Sequence, residues 1–217
     1  RYRTGDQMLV REMNLSTVLR CLHERAPLSR AALAGLTGLN KTTVSSLVEE
    51  LLHRGLVREI GLDSSSGGRP ATLLTLSSEA GFIIGVALGV DFVSVIVTDF
   101  VGQARWRRLQ MTDPTAGQEA IIQLALQIVD EAIAFSQSNQ TRLLGLGVAT
   151  PGIVKVPDGL LIFSPNLQWR HVPLRQIFHQ RTGLLVLVDN DANAAALAEH
   201  LFGVARQAHD FLSIFAG

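Results

Sequence analysis

The chain has 217 residues, 47% of them apolar, and its 19 Lys and Arg side chains balance its 19 Asp and Glu. This length is long for one compact domain and predicts a small module joined to a larger one. Because Cys21 is the only cysteine, an internal disulfide and a thiolate cluster for zinc are excluded within the chain.

The charge divides unevenly along the chain. Residues 1–76 hold 10 Lys and Arg against 7 Asp and Glu, and residues 77–217 hold 9 against 12. A net positive small module suits a phosphate backbone, although the net charges of ordinary domains vary by this much.

The most apolar run, 83–97, is interrupted by two glycines and Asp91 and cannot span a bilayer as a helix, so a cytoplasmic protein is expected.

Three helices are predicted in the first module. The spacing of apolar residues predicts the first over 14–25, and Ser29 is expected to cap a short second helix. Gly38 suits the turn that follows, where a positive φ is expected. Asn40 is expected to cap the third helix, whose apolar stripe leaves a face of small polar side chains on the other side. A helix, a short Gly-containing turn and a helix with such a face are typical of a helix-turn-helix.

The polar N-terminal face of the third helix is the candidate surface for DNA contact. Lys41 can neutralise a phosphate, and the hydroxyl groups nearby can donate to or accept from base edges in the major groove. Helical spacing alone is also compatible with any three-helix bundle that has a solvated polar face. The candidate DNA contacts are Ser29, Arg30, Lys41, Thr42, Thr43, Ser45, Ser46 and Arg69.

Two strands, at 56–60 and 71–76, with a long polar tip between them predict the wing of a winged helix-turn-helix over 1–78. The tip carries Gly67-Gly68-Arg69-Pro70, which places one guanidinium on a flexible backbone stiffened by proline. Such a tip suits insertion into a narrow minor groove. Arg69 could instead pair with a carboxylate, because hairpin tips are ordinarily charged.

The second module, 79–217, combines strands and helices. Three antiparallel strands followed by alternating helix and strand indicate an α/β fold that is not built from βαβ units alone. The chain starts at Arg1 without a preceding Met and stops at Gly217 directly after an apolar run. Both ends are therefore expected to be boundaries of a fragment. Strands are predicted at 82–88, 92–98, 104–110, 143–149, 184–188 and 211–215, and helices at 114–139, 174–181 and 193–202.

Four stretches resemble motifs of a known family: 67–71 (GGRPA), 145–152 (GLGVATPG), 166–169 (NLQW) and 189–199 (DNDANAAALAE). On these residues the whole chain resembles the ROK family, which contains sugar-responsive repressors and sugar kinases with an actin-like, ribonuclease-H-like fold. The last stretch is the most specific. The resemblance implies that the second module is the first lobe of such a domain. It also implies that further sugar contacts, a zinc site and much of the dimer surface belong to segments after Gly217.

Asn190 and Asp191 are the first candidates for a ligand site. They follow a buried strand and precede a helix, where open α/β sheets bind ligands, and their side chains suit the donors and acceptors of sugar hydroxyls. Taken alone, the two residues favour a simple capping role. The resemblance implies instead that both hold the sugar, and that in the kinases the matching Asp acts as a base. Two loop residues match positions near the family's pocket, so the candidate sugar contacts are Gly152, Asn166, Asn190 and Asp191.

The phosphate loop of the family's kinases, D-x-G-G-T, corresponds here to Ala87-Leu88-Gly89-Val90-Asp91. Ala87 replaces the carboxylate that organises magnesium, the Val90 side chain obstructs close backbone approach, and Asp91 repels phosphate. Phosphoryl transfer depends on positioning and charge neutralisation, so these changes should raise the barrier by on the order of 4 kcal/mol or more. We therefore predict no kinase activity and no cofactor in this chain, with zinc expected only if the natural chain continues beyond Gly217.

Three hypotheses remain open. The first is a regulator, a repressor of carbohydrate genes, that binds operator DNA as a homodimer or higher homo-oligomer and responds to a sugar or sugar phosphate. The second is a sugar kinase with an appended DNA-binding module, against which Ala87 argues. The third is a regulator that no longer senses any sugar. No membrane partner is expected.

Overall fold

The computed structural model divides the chain into two compact units, Arg1–Ala80 and Gly81–Gly217. None of the helices in the described part of the chain is long and apolar enough to cross a membrane. The described residues are 6–63, 71–113, 115–206, 208 and 210–214.

The first unit is a three-helix bundle with a small antiparallel sheet. The elements in chain order are α1 (Asp6–Arg25), β1 (Leu28–Ser29), α2 (Arg30–Thr37), α3 (Lys41–His53), β2 (Val57–Asp63) and β3 (Ala71–Leu76). The sheet has the strand order β1-β3-β2, so β3, the second strand of the hairpin, lies between β2 and the short strand β1 that precedes α2. This arrangement confirms the predicted winged helix-turn-helix.

Apolar side chains from all three helices and from β3 form the core of this unit. Each of the following is at most 1% exposed: Val18, Leu22, Leu33, Val44, Leu47, Val48, Leu51 and Leu74. The predicted turn between α2 and α3 is confirmed, because Gly38 has φ +70° and its amide donates to the Ala34 carbonyl. The helix α1 begins earlier than predicted, since residues 7–13 are helical but exposed and therefore show no core-facing stripe in the sequence.

The second unit is built on a five-stranded sheet and a separate three-stranded sheet. Its elements in chain order are β4 (Phe82–Leu88), β5 (Phe92–Asp99), β6 (Ala104–Met111), α4 (Gln118–Ser138), β7 (Leu143–Thr150), β8 (Ile153–Lys155), β9 (Leu160–Ser164), β10 (Trp169–Val172), α5 (Leu174–Thr182), β11 (Val186–Asn190) and α6 (Asp191–Phe202). The larger sheet has the order β11-β7-β4-β5-β6 and the smaller one the order β10-β9-β8. Strands β4, β7 and β11 are parallel, and β5 and β6 are antiparallel to their neighbours. This is the mixed α/β layer that was predicted.

The core of the second unit lies on one face of the five-stranded sheet. Alternate residues of β4 and β5 are buried, as expected for strands with one face against a core. The apolar side of α4 contributes to this core, with Ala125, Val129 and Ala132 fully buried. Trp169 and Phe178 belong to the same apolar cluster.

The parallel strands bring three loops to one edge of the sheet. Ala87 near the end of β4 lies beside Ala149, and Asn190 at the end of β11 lies beside Thr150. Because parallel strands end on the same side, the β4–β5 turn, the loop after β7 and the start of α6 share this edge.

Several predicted bounds are wrong. The helix predicted from residue 114 begins only at Gln118, because the Asp113 carboxylate accepts from the Thr115 amide at 2.8 Å and makes a turn instead. The sheet of β8, β9 and β10 was not predicted. The strand predicted at 211–215 is wrong over 211–214, where no strand forms and the Phe211 ring stacks on His200 of α6, and residue 215 lies outside the described residues.

Candidate functional sites

The N-terminal turn of α3 presents polar side chains outward. The Asn40 side chain accepts from the Thr43 amide at 2.7 Å, which confirms the predicted cap and fixes where the helix begins. The buried stripe of α3 faces the core, so Lys41 and Thr42 are exposed and Ser45 is half-buried on the outward side. The structure therefore brings Lys41, Thr42 and Ser45, three of the predicted DNA contacts, together on one short surface.

Ser46 belongs to the same face and contacts a second helix. The Arg11 guanidinium of α1 donates to the Ser46 hydroxyl at 3.4 Å and to the Glu50 carboxylate at 2.8 Å. Arg54 also pairs with Glu50. These contacts hold α1 against the middle of α3 and place arginine side chains beside the candidate base contacts.

Three other predicted contacts have structural partners. The Ser29 hydroxyl accepts from the Ala32 amide at 3.1 Å and caps α2, as predicted from the sequence. Thr43 is half-buried, and its amide is the group that Asn40 caps. Arg30 donates to two carboxylates rather than projecting freely into solvent. Their contacts with DNA therefore stay predictions.

The predicted tip of the wing, including Arg69, lies outside the described residues. Strands β2 and β3 pair up to Asp63 and Ala71. Their register has a shift between Glu59 and Gly61, which is a β-bulge or similar irregularity in β2.

In the second unit, Asn190 connects the start of α6 with the loop after β7. Its side-chain oxygen accepts from the amides of Ala192 and Asn193 at 2.9 and 3.2 Å. Its side-chain nitrogen donates to the Gly152 carbonyl at 2.9 Å. Asn190 thus caps the helix, and it also positions a loop 38 residues away, a connection that no local sequence pattern signals.

Gly152 occupies a position that excludes a side chain. Its φ is +117°, and an added Cβ would lie 2.4 Å from the Phe163 carbonyl oxygen of β9. Only glycine avoids both the strained φ and this clash. Asn166, in the turn between β9 and β10, is exposed. Gly152 and Asn190 are therefore in contact, whereas Asn166 belongs to the β9–β10 hairpin.

Asp191 is the first residue of α6 and is half-buried. One of its carboxylate oxygens accepts from the Ala192 amide at 2.9 Å. The preceding Asp189 accepts from the Asn190 amide and from the Asn193 side chain, at 2.7 and 3.0 Å. These polar groups surround a helix N-terminus at the sheet edge, an arrangement that can receive the hydroxyl groups of a small polar ligand.

The β4–β5 turn closes tightly at the same edge. The Gly89 amide donates to the Phe92 carbonyl at 2.8 Å, and an added Cβ on Gly89 would lie 2.3 Å from the Phe92 ring. Asp91 is exposed in this turn, and its carbonyl accepts from the Thr112 amide at 2.7 Å. Across the described segments, no group of three or more His, Cys, Asp or Glu side chains could hold a metal ion.

Comparisons with known proteins cover both units. The ROK family model matches residues 83–217, and the model of the IclR helix-turn-helix domain matches residues 13–61. The xylose repressor of Caldicellulosiruptor bescii is 34% identical over 98% of this chain and 53% of its own length. The chain spans about half the length of the curated relatives it matches.

Solved structures resemble the fold as well. A crystal structure of a ROK family transcriptional regulator, a homologue of the Escherichia coli Mlc protein, is similar with a TM-score of 0.75 and 23% identity. The match covers 89% of this chain and 49% of that one. A ROK hexokinase from Thermus thermophilus is similar with a TM-score of 0.50 and 28% identity over 58% of this chain and 40% of its own.

Proposed function

Because the chain belongs to the ROK family, we propose that it is a DNA-binding repressor of sugar-metabolism genes whose operator binding responds to a sugar. The single observation that supports this most is the outward N-terminal face of α3, where small polar side chains and Lys41 are exposed beside a two-stranded wing. A helix with such a face can approach base edges closely in the major groove.

In this proposal the DNA contacts divide by role. Lys41 contacts phosphate, and Thr42, Ser45 and Ser46 contact base edges. Arg69 reaches the minor groove from the wing. The operator is bound by a homodimer, because two copies double the contacted sequence and match a two-fold operator.

The sugar site of the proposal lies at the start of α6. Asp191 accepts hydrogen bonds from sugar hydroxyl groups, and Asn190 holds the Gly152 loop in place while it offers its remaining N–H to the ligand. A sugar can regulate binding only through different affinities for the DNA-competent and DNA-incompetent states. Because a xylose repressor is among the relatives, xylose is the first sugar to test, followed by other neutral sugars and their phosphates.

The proposal includes no phosphoryl transfer. Ala87 has no carboxylate with which to organise magnesium, and the exposed Asp91 places a negative charge in the turn that would face a phosphate. A coupled assay of ATP consumption over a sugar panel should show no turnover. Measurable turnover would favour the alternative, a sugar kinase with an appended DNA-binding module.

The test is a fluorescence-anisotropy titration of the whole chain against the promoter DNA next to its own gene, repeated with each sugar. We expect the chain to bind the duplex at low salt, and we expect at least one sugar to change the affinity for that duplex. Absence of binding at low salt would remove the proposal. Binding that no sugar changes would support the third hypothesis, a regulator that senses none.

A further inference from the structure

Glu49 extends the polar face of α3 by one turn. It lies seven residues after Thr42 and four after Ser45, and helical periodicity places residues with these spacings on one side of a helix. Its side chain is 69% exposed. The surface that carries the candidate base contacts therefore ends in a carboxylate.

A carboxylate on this surface needs an explanation, because DNA phosphates repel it. Arg30 is the group that holds it. The Arg30 guanidinium donates to Oε1 of Glu49 at 2.8 Å and to Oε1 of Glu59 in β2 at 3.2 Å. With a side chain only 29% exposed, Arg30 is fixed between α3 and the wing and partly neutralises both carboxylates.

These contacts leave half of the Glu49 carboxylate available. Oε1 is occupied by Arg30, and Oε2 makes no hydrogen bond with the described residues. An ionised carboxylate can only accept hydrogen bonds. Among base edges in the major groove, cytosine presents its N4 amino donor with no acceptor on the same base, whereas adenine presents its N6 amino donor beside its own N7 acceptor.

We propose that Glu49 reads a cytosine in each operator half-site by accepting from its N4 amino group, and that Arg30 is a positioning residue that orients the carboxylate. This inference rests on the proposed DNA-binding function. It gives Arg30 a role through Glu49 instead of the direct DNA contact expected from the sequence.

The competing explanation is that Glu49 only balances the charge of Arg30. In that case, removing the carboxylate would change the affinity for every duplex alike, because repulsion of phosphates does not depend on base identity. The base preference of the protein therefore separates the two explanations.

The experiment selects duplexes from a randomised library with the whole chain and sequences the bound fraction. We expect the unsubstituted chain to enrich a motif in which one position per half-site prefers cytosine by about fivefold. Glu49→Gln should shift that position toward adenine, because a glutamine amide can bond adenine N6 and N7 together. Glu49→Ala should leave the position without preference while the rest of the motif persists. Arg30→Gln should weaken the cytosine preference without moving it.

Glu24→Gln is the matched control, because it removes one exposed carboxylate from α1 of the same unit and should leave the motif unchanged. An unchanged preference at every position in both Glu49 variants, or an equal loss at all positions, would overturn the inference while the DNA-binding function stands. If the unsubstituted chain enriches no motif even at low salt, the proposed function itself fails.

Discussion

Asn190 offers a direct test of how the start of α6 is held. Replacing it with Ala removes the acceptor for the amides of Ala192 and Asn193 and the donor to the Gly152 carbonyl. Losing a helix cap costs about 1 kcal/mol, and losing a partly buried hydrogen bond costs about 1 kcal/mol more. Asn190→Ala should therefore lower the free energy of unfolding of the second unit by about 2 kcal/mol.

Tryptophan fluorescence during urea unfolding measures this loss. Trp106 and Trp169, the only tryptophans of the chain, both lie in the second unit, so the signal reports that unit alone. With an m-value of roughly 2 kcal/mol per M, the midpoint should fall by about 1 M. Asn190→Ser keeps a capping oxygen but is too short to reach the Gly152 carbonyl, so it should lose about half as much.

Asn166→Ala is the control for the Asn190 variants, because Asn166 is exposed and its loss should leave the midpoint unchanged. The reasoning is refuted if Asn190→Ala moves the midpoint by less than about 0.2 M. It is also refuted if the Ser and Ala variants lose the same amount, since the cap would then contribute nothing.

Three further predictions concern other contacts. Gly152→Ala should destabilise the second unit by about 2 kcal/mol or more in the same urea assay, because the new Cβ would meet the Phe163 carbonyl at an unfavourable φ; an unchanged midpoint contradicts this. In the same assay, Asp99→Asn should lower the free energy of unfolding of the second unit by about 2 kcal/mol, because this 1%-exposed carboxylate accepts from two backbone amides and a half-exposed guanidinium. Stability equal to that of the unsubstituted chain would disprove this. In anisotropy titrations, Lys41→Ala should reduce the slope of the log of the DNA association constant against the log of the salt concentration by about 0.9. Arg107→Ala, which changes an exposed residue of the other unit, should not change this slope. Equal slopes for the two variants would argue against a phosphate contact at Lys41.

Local chemistry made parts of the fold predictable from the sequence. Ser29 and Asn40 were identified as caps because a short polar side chain before an apolar stripe satisfies the free amides of a helix start. The strands β4 and β5 were found because each is a short, largely apolar run of the length of a strand. In both cases the signal lies within a few consecutive residues.

Long-range contacts were not predictable in the same way. The hydrogen bond between Asn190 and Gly152 joins residues that are distant in sequence, and the three short strands β8, β9 and β10 have too few residues for periodicity to show. Arg30 was expected to contact DNA, yet its partners come from α3 and β2, which only the folded chain brings together. The face of α3 was identified by spacing, but the orientation of Glu49 required the structure.

The position of β3 limits how a sugar could control DNA binding. This strand is bonded on one side to β1, which directly precedes α2, and on the other side to β2, which Arg30 ties back to both α2 and α3. Helix α3 is bonded through side chains to both α1 and α2, so bending α3 alone would break hydrogen bonds to each of them. In the proposed dimer, we therefore expect an effector to leave the internal geometry of this unit intact and to govern instead the distance or angle between the two units at the double helix.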